Sequence, residues 1–385
     1  MTRTPSADAT VLFRNDAEGT ERLFAKPSRI IEARDAGDLR PALAAMEEAK
    51  NAGKWLAGYI SYEAGYLLEP KLRPLLPEGR RTPLLSFGVF EGPHDAAAST
   101  EAIDTNGPIY DARATWTFED YEKRFDKLHR HLRLGDCYQA NLTFPIEAHW
   151  SGTARQAFDA LTARQPVSYG ALVCLGEPII LSRSPELFFE IDTDGWIETR
   201  PMKGTAPRGK TKAEDARLKK FLQNDEKNQA ENRMIVDLLR NDVSLISEVG
   251  TLDVPELFRI ESYPTVHQMV SRVRAKLLPD LTIERIFAAL FPCGSITGAP
   301  KIRAMEILHE LESTPRDAYC GAIGWIAPNG QMRFNVAIRT ITLFKNGRAV
   351  YNVGGGIVFD STAESEYQEC LLKARFATGT APTTN

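Results

Sequence analysis

The fold and the chemistry of this chain are decided by the stretch Thr199-Arg200-Pro201-Met202-Lys203-Gly204-Thr205. It places one lysine between a proline-stiffened strand end and a glycine that lets a ligand approach the backbone closely. Most lysines are hydrated surface residues, so this side chain alone is weak evidence for a site. In a cleft beside an anionic substrate, however, desolvation lowers the pKa of a lysine and makes its amine a nucleophile. Lys203 is therefore the first candidate catalytic residue.

The composition is typical of a globular protein and excludes several classes of function. Of the 385 residues, 43% are hydrophobic and 25% are charged, and the formal net charge is -4. This balance gives no global positive field for nucleic acid or an anionic membrane. No apolar run is long enough to span a bilayer, and the five cysteines lack the C-x-x-C spacing of a zinc site. We expect a cytoplasmic protein with neither nucleic-acid nor membrane partners.

The composition divides the chain near residue 110. Residues 1–110 have a mixed α/β pattern, with a helix predicted over Leu39–Ala52 and a strand over Trp55–Tyr62. Glu91–Pro108 is rich in small residues and proline, which indicates a linker or, alternatively, a long surface loop inside one domain. Residues 111–385 hold the remaining motifs, and we expect the two regions to pack closely as one unit.

Two candidate carboxylates lie in different local contexts. Glu186 follows a proline and precedes an aromatic run, so it is a candidate general acid with a raised pKa, or else a solvated turn residue. Glu231 shares one face of the predicted helix Asp225–Asn241 with Ile235 and Leu238. A carboxylate on an apolar face needs a partner, and a lysine, an arginine or a metal would each serve.

The C-terminal part alternates like a strand and then ends in a helix. Alternation over residues 334–341 places Arg339 on a face with apolar groups, where a guanidinium needs a carboxylate or phosphate. Gly354-Gly355-Gly356 allows close backbone approach, and Ser361-Thr362-Ala363-Glu364 predicts a capping box. In the helix that follows, one face carries Glu366, Glu369 and Lys373. A surface ion pair between the last two is the alternative that needs no function.

The segment Gly204–Thr211 matches the G-x-x-x-x-G-K-T pattern of nucleotide-binding loops letter for letter. Such a loop should follow a buried apolar strand, whereas Trp196–Pro201 is polar and ends in proline. The basic residues from Arg208 onward are typical of a solvated surface segment. We therefore do not expect Lys210 to bind a nucleotide.

Together the segments resemble the chorismate-utilising enzymes, the family that contains anthranilate, isochorismate and salicylate synthases. The resemblance covers residues 115–375 and rests on ordered motifs, namely Tyr138-Gln139-Ala140-Asn141-Leu142, Ser184-Pro185-Glu186, Pro201-Met202-Lys203-Gly204-Thr205, Ala230-Glu231-Asn232 through Arg240-Asn241-Asp242, Gly298-Ala299-Pro300-Lys301 and Gly354-Gly355-Gly356 through Glu369. It implies an α/β (α+β) fold of two stacked antiparallel sheets with outer helices. The active site is expected in the cleft between the sheets.

Three positions distinguish members of this family. Anthranilate synthases carry alanine where this chain has Lys203, whereas lysine is typical of members that aminate chorismate and keep its pyruvyl group. Isochorismate and salicylate synthases place a water-activating lysine at the position of Gln139, so water is not the expected nucleophile. Gln268 stands where anthranilate synthase uses a histidine, which agrees with a product that retains the pyruvyl group.

The resemblance implies a role for each candidate residue. Lys203 would attack chorismate, Glu186 would protonate the departing C4 hydroxyl, and ammonia would then displace the lysine. Magnesium would be held by Glu231 and Glu369 with Glu366 nearby, although Asn228 replaces a further acidic residue found in many relatives. The substrate-binding positions implied are Thr205, Gly298, Tyr319, Arg339, Gly356 and Lys373.

The chain carries no glutamine amidotransferase signature. The expected nitrogen source is therefore a separate glutamine amidotransferase subunit, or free ammonia. Two alternatives stay open. One is anthranilate synthase component I, against which Lys203 and Gln268 argue, and the other is a non-catalytic protein that keeps the fold to bind a glutaminase.

Overall fold

The computed structural model describes residues 2–98, 108–263 and 266–384. Its strands, in chain order, are β1 (Thr2–Arg3), β2 (Thr10–Asn15), β3 (Thr20–Ala25), β4 (Arg29–Ala33), β5 (Trp55–Ile60), β6 (Leu85–Phe90), β7 (His94–Ala97), β8 (Ile109–Ala114), β9 (Gln139–Trp150), β10 (Tyr169–Cys174), β11 (Ile179–Ser184), β12 (Leu187–Ile191), β13 (Trp196–Arg200), β14 (Met202–Pro207), β15 (Asp253–Ser262), β16 (Val266–Lys276), β17 (Gly298–Ala299), β18 (Ala322–Ile326), β19 (Met332–Val336), β20 (Thr340–Leu343) and β21 (Arg348–Ile357).

The helices lie between these strands. They are α1 (Leu39–Asn51), α2 (Ala64–Leu68), α3 (Phe118–Leu134), α4 (Ala154–Arg164), α5 (Lys212–Asn224), α6 (Glu226–Ser244), α7 (Ile283–Leu290), α8 (Lys301–Leu311) and α9 (Ala363–Ala374). Within the described ranges, none of them has both the length and the apolar character needed to cross a bilayer.

The strands form two antiparallel sheets. One has eleven strands in the order β1-β4-β6-β5-β18-β19-β12-β13-β16-β14, with β15 paired to β16. The other has ten in the order β17-β9-β21-β20-β11-β10-β2-β3-β7, with β8 paired to β9. One apolar cluster joins Val11 and Ile180 of the ten-stranded sheet to Ala57 and Ile323 of the eleven-stranded sheet, so the sheets face each other across a shared core. The predicted stack of two antiparallel sheets is confirmed.

The helices cover the outer faces of this stack. A second cluster packs residues of α1, α6 and α7 against the eleven-stranded sheet. A third packs α3, α4, α8 and α9 against the ten-stranded sheet. Because each sheet buries apolar side chains on both faces, the strands near its centre are almost entirely buried. The predicted outer helices are therefore confirmed as well.

Strands from the first 110 residues take part in both sheets. β5 pairs with β18 in the larger sheet, and β2 pairs with β10 in the smaller one. Residues 99–107 of the predicted linker Glu91–Pro108 lie outside the described residues, and β7 forms within its first part. The division of the chain near residue 110 stays a prediction from composition.

Several local predictions hold and two are wrong. The helices predicted over Leu39–Ala52 and Asp225–Asn241 correspond to α1 and α6. The continuous alternation predicted over residues 334–341 breaks, because β19 ends at Val336 in one sheet and β20 begins at Thr340 in the other. The predicted capping box is also wrong. Thr362 is the N-cap of α9 without a side-chain cap, and the Ser361 hydroxyl instead donates to Glu366.

Two crossovers between the sheets lie side by side. The chain leaves the ten-stranded sheet after β11 and enters the eleven-stranded sheet at β12, and it returns between β19 and β20. The backbone N–H of Arg183 donates to the carbonyl of Arg339 at 2.9 Å, and that of Val336 donates to the carbonyl of Glu186 at 3.1 Å. Glu186 and Arg339 therefore occupy adjacent turns where the two sheets meet.

Candidate active site

Lys203 lies on β14, at the edge of the eleven-stranded sheet, and faces both α6 and the ten-stranded sheet. Its Nζ is 3.1 Å from the Glu231 carboxylate, and the two side chains are 28% and 16% exposed. A Cβ added to Gly356 would lie 3.2 Å from the same Nζ. The glycine of β21 thus leaves room for the lysine amine in the cleft. The sequence-predicted Lys203, Glu231 and Gly356 are brought together.

Helix α9 brings two carboxylates and a lysine to the same region. Glu369 pairs with Lys373 at 2.7 Å, and the Lys373 ammonium also donates to the Gly354 carbonyl at 3.1 Å. Burial raises the pKa of Glu366, which the charge of Glu369 reinforces. Burial acts the same way on Glu369, but Lys373 and Lys203 outweigh it, so the pKa of Glu369 lies below its usual value. The ion pair predicted as the alternative is present, and it borders the cleft.

The three predicted metal-side carboxylates fit a hard divalent cation by donor type. Glu231 lies on α6, and Glu366 and Glu369 lie on α9, so two helices supply carboxylate oxygens near the Lys203 amine. Within the described ranges, no three acidic, histidine or cysteine side chains are yet drawn together as a ligand set. Glu231 and Glu369 are each paired with a lysine instead. A divalent ion would exchange these ion pairs for metal–oxygen contacts.

Glu186 is buried at the crossover after β11 and is only 5% exposed. Its backbone N–H donates to the Ser184 hydroxyl at 3.2 Å, which fixes the turn. Burial raises the pKa of Glu186 to about 7, while a hydrogen bond with Ser295 and the charge of Lys203 act in the opposite direction. Glu186 is thus partly protonated near neutral pH and suited to donate a proton. The alternative of a solvated turn carboxylate does not hold.

Arg339 is held at the neighbouring crossover in a left-handed backbone conformation, with φ 50. In the described part of the chain, its guanidinium makes no hydrogen bond or ion pair. Burial lowers the pKa of Arg339 to about 10, so the group still carries its charge at neutral pH. Arg339 is half-buried, and a cation that is partly withdrawn from water without a counter-charge is costly unless a ligand supplies one. This arrangement suits the carboxylate of a bound anion.

The remaining predicted substrate-binding residues surround these groups. Tyr319 is 7% exposed, and its turn is tied to the Arg339 crossover by the Cys320 N–H, which donates to the Ala337 carbonyl at 2.9 Å. Among the described residues, no hydrogen bond joins the Tyr319 side chain to Arg339. Gly298, in β17, is paired with Ala140, and a Cβ there would collide with the Gln139 carbonyl. Thr205 donates its hydroxyl proton to Gln268 at 2.9 Å.

Two polar side chains border the cleft, and the sequence singles out the position of Gln139 but not that of Ser295. Gln139 is 1% exposed, its Oε1 is buried without a hydrogen-bond partner, and its Nε2 would lie 2.7 Å from a Cβ at Gly356. It therefore borders the cleft beside Lys203. Ser295, which bonds to Glu186, lies in a loop of small residues that precedes α8. No sequence signal links Ser295 to Glu186, because the two residues lie in distant segments of the chain and meet only through the fold.

The nucleotide-loop pattern has no nucleotide-binding geometry. β14 is antiparallel to β16, whereas a nucleotide loop follows a parallel strand. The Gly209 N–H donates to Asp215 at 2.8 Å, and the Lys210 N–H donates to Glu214 at 2.9 Å. The backbone donors that would bind phosphate are thus already occupied by the chain's own carboxylates.

Comparison with known proteins agrees with this geometry. The family model described as chorismate binding enzyme matches residues 8–379. The chain belongs to the chorismate binding enzyme family.

Two bacterial proteins of known name are similar to this chain. The aminodeoxychorismate synthase component 1 of Klebsiella aerogenes is 44% identical over 261 residues, which is 68% of this chain and 57% of that protein. The protein of the same name from Escherichia coli (strain K12) is 44% identical over 263 residues, or 68% of this chain and 58% of that one. The matched stretch thus spans little more than half the length of these relatives.

Solved structures share the architecture of this chain. The crystal structure of anthranilate synthase component I from Streptococcus pneumoniae TIGR4 superposes with a TM-score of 0.82 at 27% identity, covering 93% of this chain and 92% of that one. The menaquinone-specific isochorismate synthase MenF of Escherichia coli superposes with a TM-score of 0.76 at 16% identity, covering 97% and 90%, and shows the fold alone.

Proposed function

We propose that this chorismate binding enzyme is an aminodeoxychorismate synthase component I, which converts chorismate and ammonia to 4-amino-4-deoxychorismate for para-aminobenzoate and folate synthesis. The observation that carries the proposal is the Lys203 amine, held in the cleft beside Glu231 and Gly356. The relatives named aminodeoxychorismate synthase component 1 support it. The reaction would fall in the transaminase class, because the amino group ultimately comes from glutamine.

Lys203 is the nucleophile in this proposal. Its Nζ adds to C2 of the ring, both ring double bonds shift, and the C4 hydroxyl leaves as water with a proton from Glu186. Ammonia then adds at C4 and loses a proton, which restores Glu186, while both double bonds shift back and the C2–nitrogen bond breaks to free the lysine. The sum is chorismate plus ammonia giving aminodeoxychorismate plus water. Before the first step the Lys203 amine must be uncharged and released from its ion pair with Glu231.

Glu186 is the proton donor for the departing hydroxyl. A carboxyl with a pKa of about 7 is protonated in a large fraction of molecules at neutral pH and still gives up its proton readily. Ser295 would hold the carboxyl in one orientation. Burial of Glu186 also keeps bulk water away from the leaving group.

Glu231, Glu369 and Glu366 would hold Mg²⁺, which supplies positive charge for the ring carboxylate of chorismate. Lys373, fixed by Glu369 and the Gly354 carbonyl, would add a second positive group. If Glu231 served as a metal ligand, it would no longer pair with Lys203, and the amine would lose this ion-pair partner.

Arg339 would bind the pyruvyl carboxylate of chorismate at the opposite end of the cleft. Its guanidinium lacks a counter-charge in the described part of the chain, and a bidentate contact with a carboxylate would supply one. Tyr319 and Thr205 would complete the binding surface. Ammonia would come from a separate glutamine amidotransferase subunit, or from solution at high ammonium concentration.

The direct test is product analysis with purified protein, chorismate, Mg²⁺ and ammonium salt. We expect a non-aromatic amino product that retains the pyruvyl group, identified by mass spectrometry. Fluorescent anthranilate with release of pyruvate would instead establish anthranilate synthase component I. Binding of a glutaminase without any chorismate turnover at high ammonia would establish the non-catalytic partner.

A further inference from the structure

Lys203 lies in a break of the strand pairing. Met202 of β14 is opposite Val270 of β16, and Thr205 is opposite Gln268. The two residues 203 and 204 of β14 therefore face the single residue of β16 that lies between Gln268 and Val270. Such a β-bulge bends the strand, redirects a side chain and leaves backbone groups without ladder partners. Residues 203–205 are termed the Lys203 bulge.

Side chains replace the lost ladder bonds of the Lys203 bulge. The Gln268 amide donates to the Gly204 carbonyl at 2.9 Å, and its Oε1 accepts the Thr205 hydroxyl proton at 2.9 Å. Asn232 donates to the Lys203 carbonyl at 3.3 Å. Gly204 has φ 96, and a Cβ there would lie 2.9 Å from the Asn228 side chain, so only glycine fits the bend. Each residue of the bulge is thus held by a named side chain.

The two amides that hold the bulge differ in their surroundings. Asn232 is fully buried and is itself fixed by the Ser271 hydroxyl, which donates to its Oδ1 at 2.6 Å. It therefore belongs to the packed support beneath the strand. Gln268 is half-buried, and in the described residues its side chain bonds only to Gly204 and Thr205. No other described group depends on the Gln268 amide.

We infer that Gln268 is a positioning residue that holds the Lys203 bulge in the shape that directs the Lys203 amine into the cleft. The expected effect on turnover rests on the proposed function. The expected effect on the position of the Lys203 amine does not. The Lys203 Nζ has close neighbours in Glu231 and the Gly356 backbone, so a relaxed bulge would move the amine away from both. A displacement of about 1 Å costs on the order of 100-fold in rate when a reacting group is involved.

The test compares Gln268→Met, which keeps the side-chain volume and removes both hydrogen bonds, with Gln331→Met on the β18–β19 turn as the matched control. The first readout needs no substrate: trace acetylation of Lys203, measured by mass spectrometry relative to that of Lys220 in the same molecules. We expect Gln268→Met to raise this ratio at least about threefold, because the amine leaves the cleft wall. The control variant should leave it unchanged, and both variants should melt within a few degrees of the wild type.

The second readout is kinetic. Gln268→Met should lower kcat by about 10- to 100-fold with the chorismate KM within about threefold. An unchanged acetylation ratio would overturn the inference, and so would a rise in KM alone, since Gln268 would then bind substrate. If the ratio changes but the wild type makes no aminodeoxychorismate, the proposed function fails and the positioning role stands.

Discussion

The two ends of the cleft hold their charges in opposite ways. At the α6–α9 end, Lys203 pairs with Glu231 and Lys373 pairs with Glu369. At the crossover end, Arg339 has no partner among the described residues and Glu186 is a buried acid with a raised pKa. The first end is balanced before any ligand arrives, whereas the second carries a free-energy cost that a bound carboxylate would relieve. The paired end is therefore suited to exchanging ions, and the unpaired end to anchoring an anion.

The largest effect is expected from removing the amine of the paired end. Lys203→Ala should lower the rate of aminodeoxychorismate formation by more than about 1000-fold, because the proposed covalent intermediate needs the Lys203 amine. Any residual product should be of the anthranilate type. Lys210→Ala, in the same segment but bonded through its backbone to Glu214, is the matched control and should retain full activity. Loss of ATP binding in that control would instead revive the nucleotide-loop hypothesis.

At the unpaired end, Glu186→Gln should lower kcat/KM by about 100-fold at pH 7, because the amide cannot donate a proton to the leaving hydroxyl. In the wild type, kcat/KM should fall as the pH rises above about 7, the pKa of Glu186, when the free ammonia concentration is held constant. The variant should lose this limb of the profile. If kcat/KM of Glu186→Gln still falls as the pH rises above about 7, the group that titrates is not Glu186.

The same substitution has a stability readout. The pKa of Glu186 rises from 4.5 to about 7 on folding, so between these values the native state binds more protons than the unfolded state. The free energy of unfolding therefore falls as the pH rises through this window, by about 3 kcal/mol in full. Glu186→Gln should be more stable than the wild type at pH 8 and nearly equal to it at pH 4. Denaturant melts at the two pH values check the sign.

Arg339→Met tests the cost of the unpaired cation directly. We expect kcat/KM for chorismate to fall by about 100-fold, mainly through KM, because the carboxylate loses a charge-assisted contact. The protein without ligand should become more stable, since a buried charge without a partner is removed. Arg333→Met, which breaks an exposed pair with Glu190, should change stability by less than about 1 kcal/mol and leave KM unchanged. If Arg339→Met were less stable than the wild type, the Arg339 guanidinium would have a stabilising partner in the protein without ligand.

The sequence predicts the paired end better than the unpaired end. Glu231 and Glu369 lie on helices whose periodicity places them correctly, and the lysine stretch lies at a strand edge as its proline and glycine indicate. The unpaired end depends on two crossovers between sheets. Alternation of side chains gives no sign that a strand stops at Val336 and changes sheets before Thr340. The surroundings of Arg339 therefore could not be predicted from its own segment.

The Lys203 bulge marks a second limit of sequence reasoning. The stretch identifies the lysine, but its direction depends on the register between β14 and β16, which are separated by two helices and a strand in the chain. A register shift of one residue reverses the face to which a side chain points. Gln268 and Asn232 hold the bulge from distant segments, and amides are common on many surfaces. Their role becomes visible only with the pairing known.

The smallest effect is expected at Glu369, where one carboxylate serves both an ion pair and the proposed magnesium site. Glu369→Gln keeps the side-chain shape and should raise the Mg²⁺ concentration needed for half-maximal activity by about 10- to 100-fold, with kcat at saturating Mg²⁺ within about threefold of the wild type. The lost pair with Lys373 is exposed and worth about 0.3–0.5 kcal/mol, so the melting temperature should hardly move. Glu364→Gln, on the same helix but bonded to Gln368 at the surface, is the matched control. Calorimetric titration of Mg²⁺ into both variants gives a second measure, and equal affinities would remove Glu369 from the metal site while leaving its ion pair with Lys373 in place.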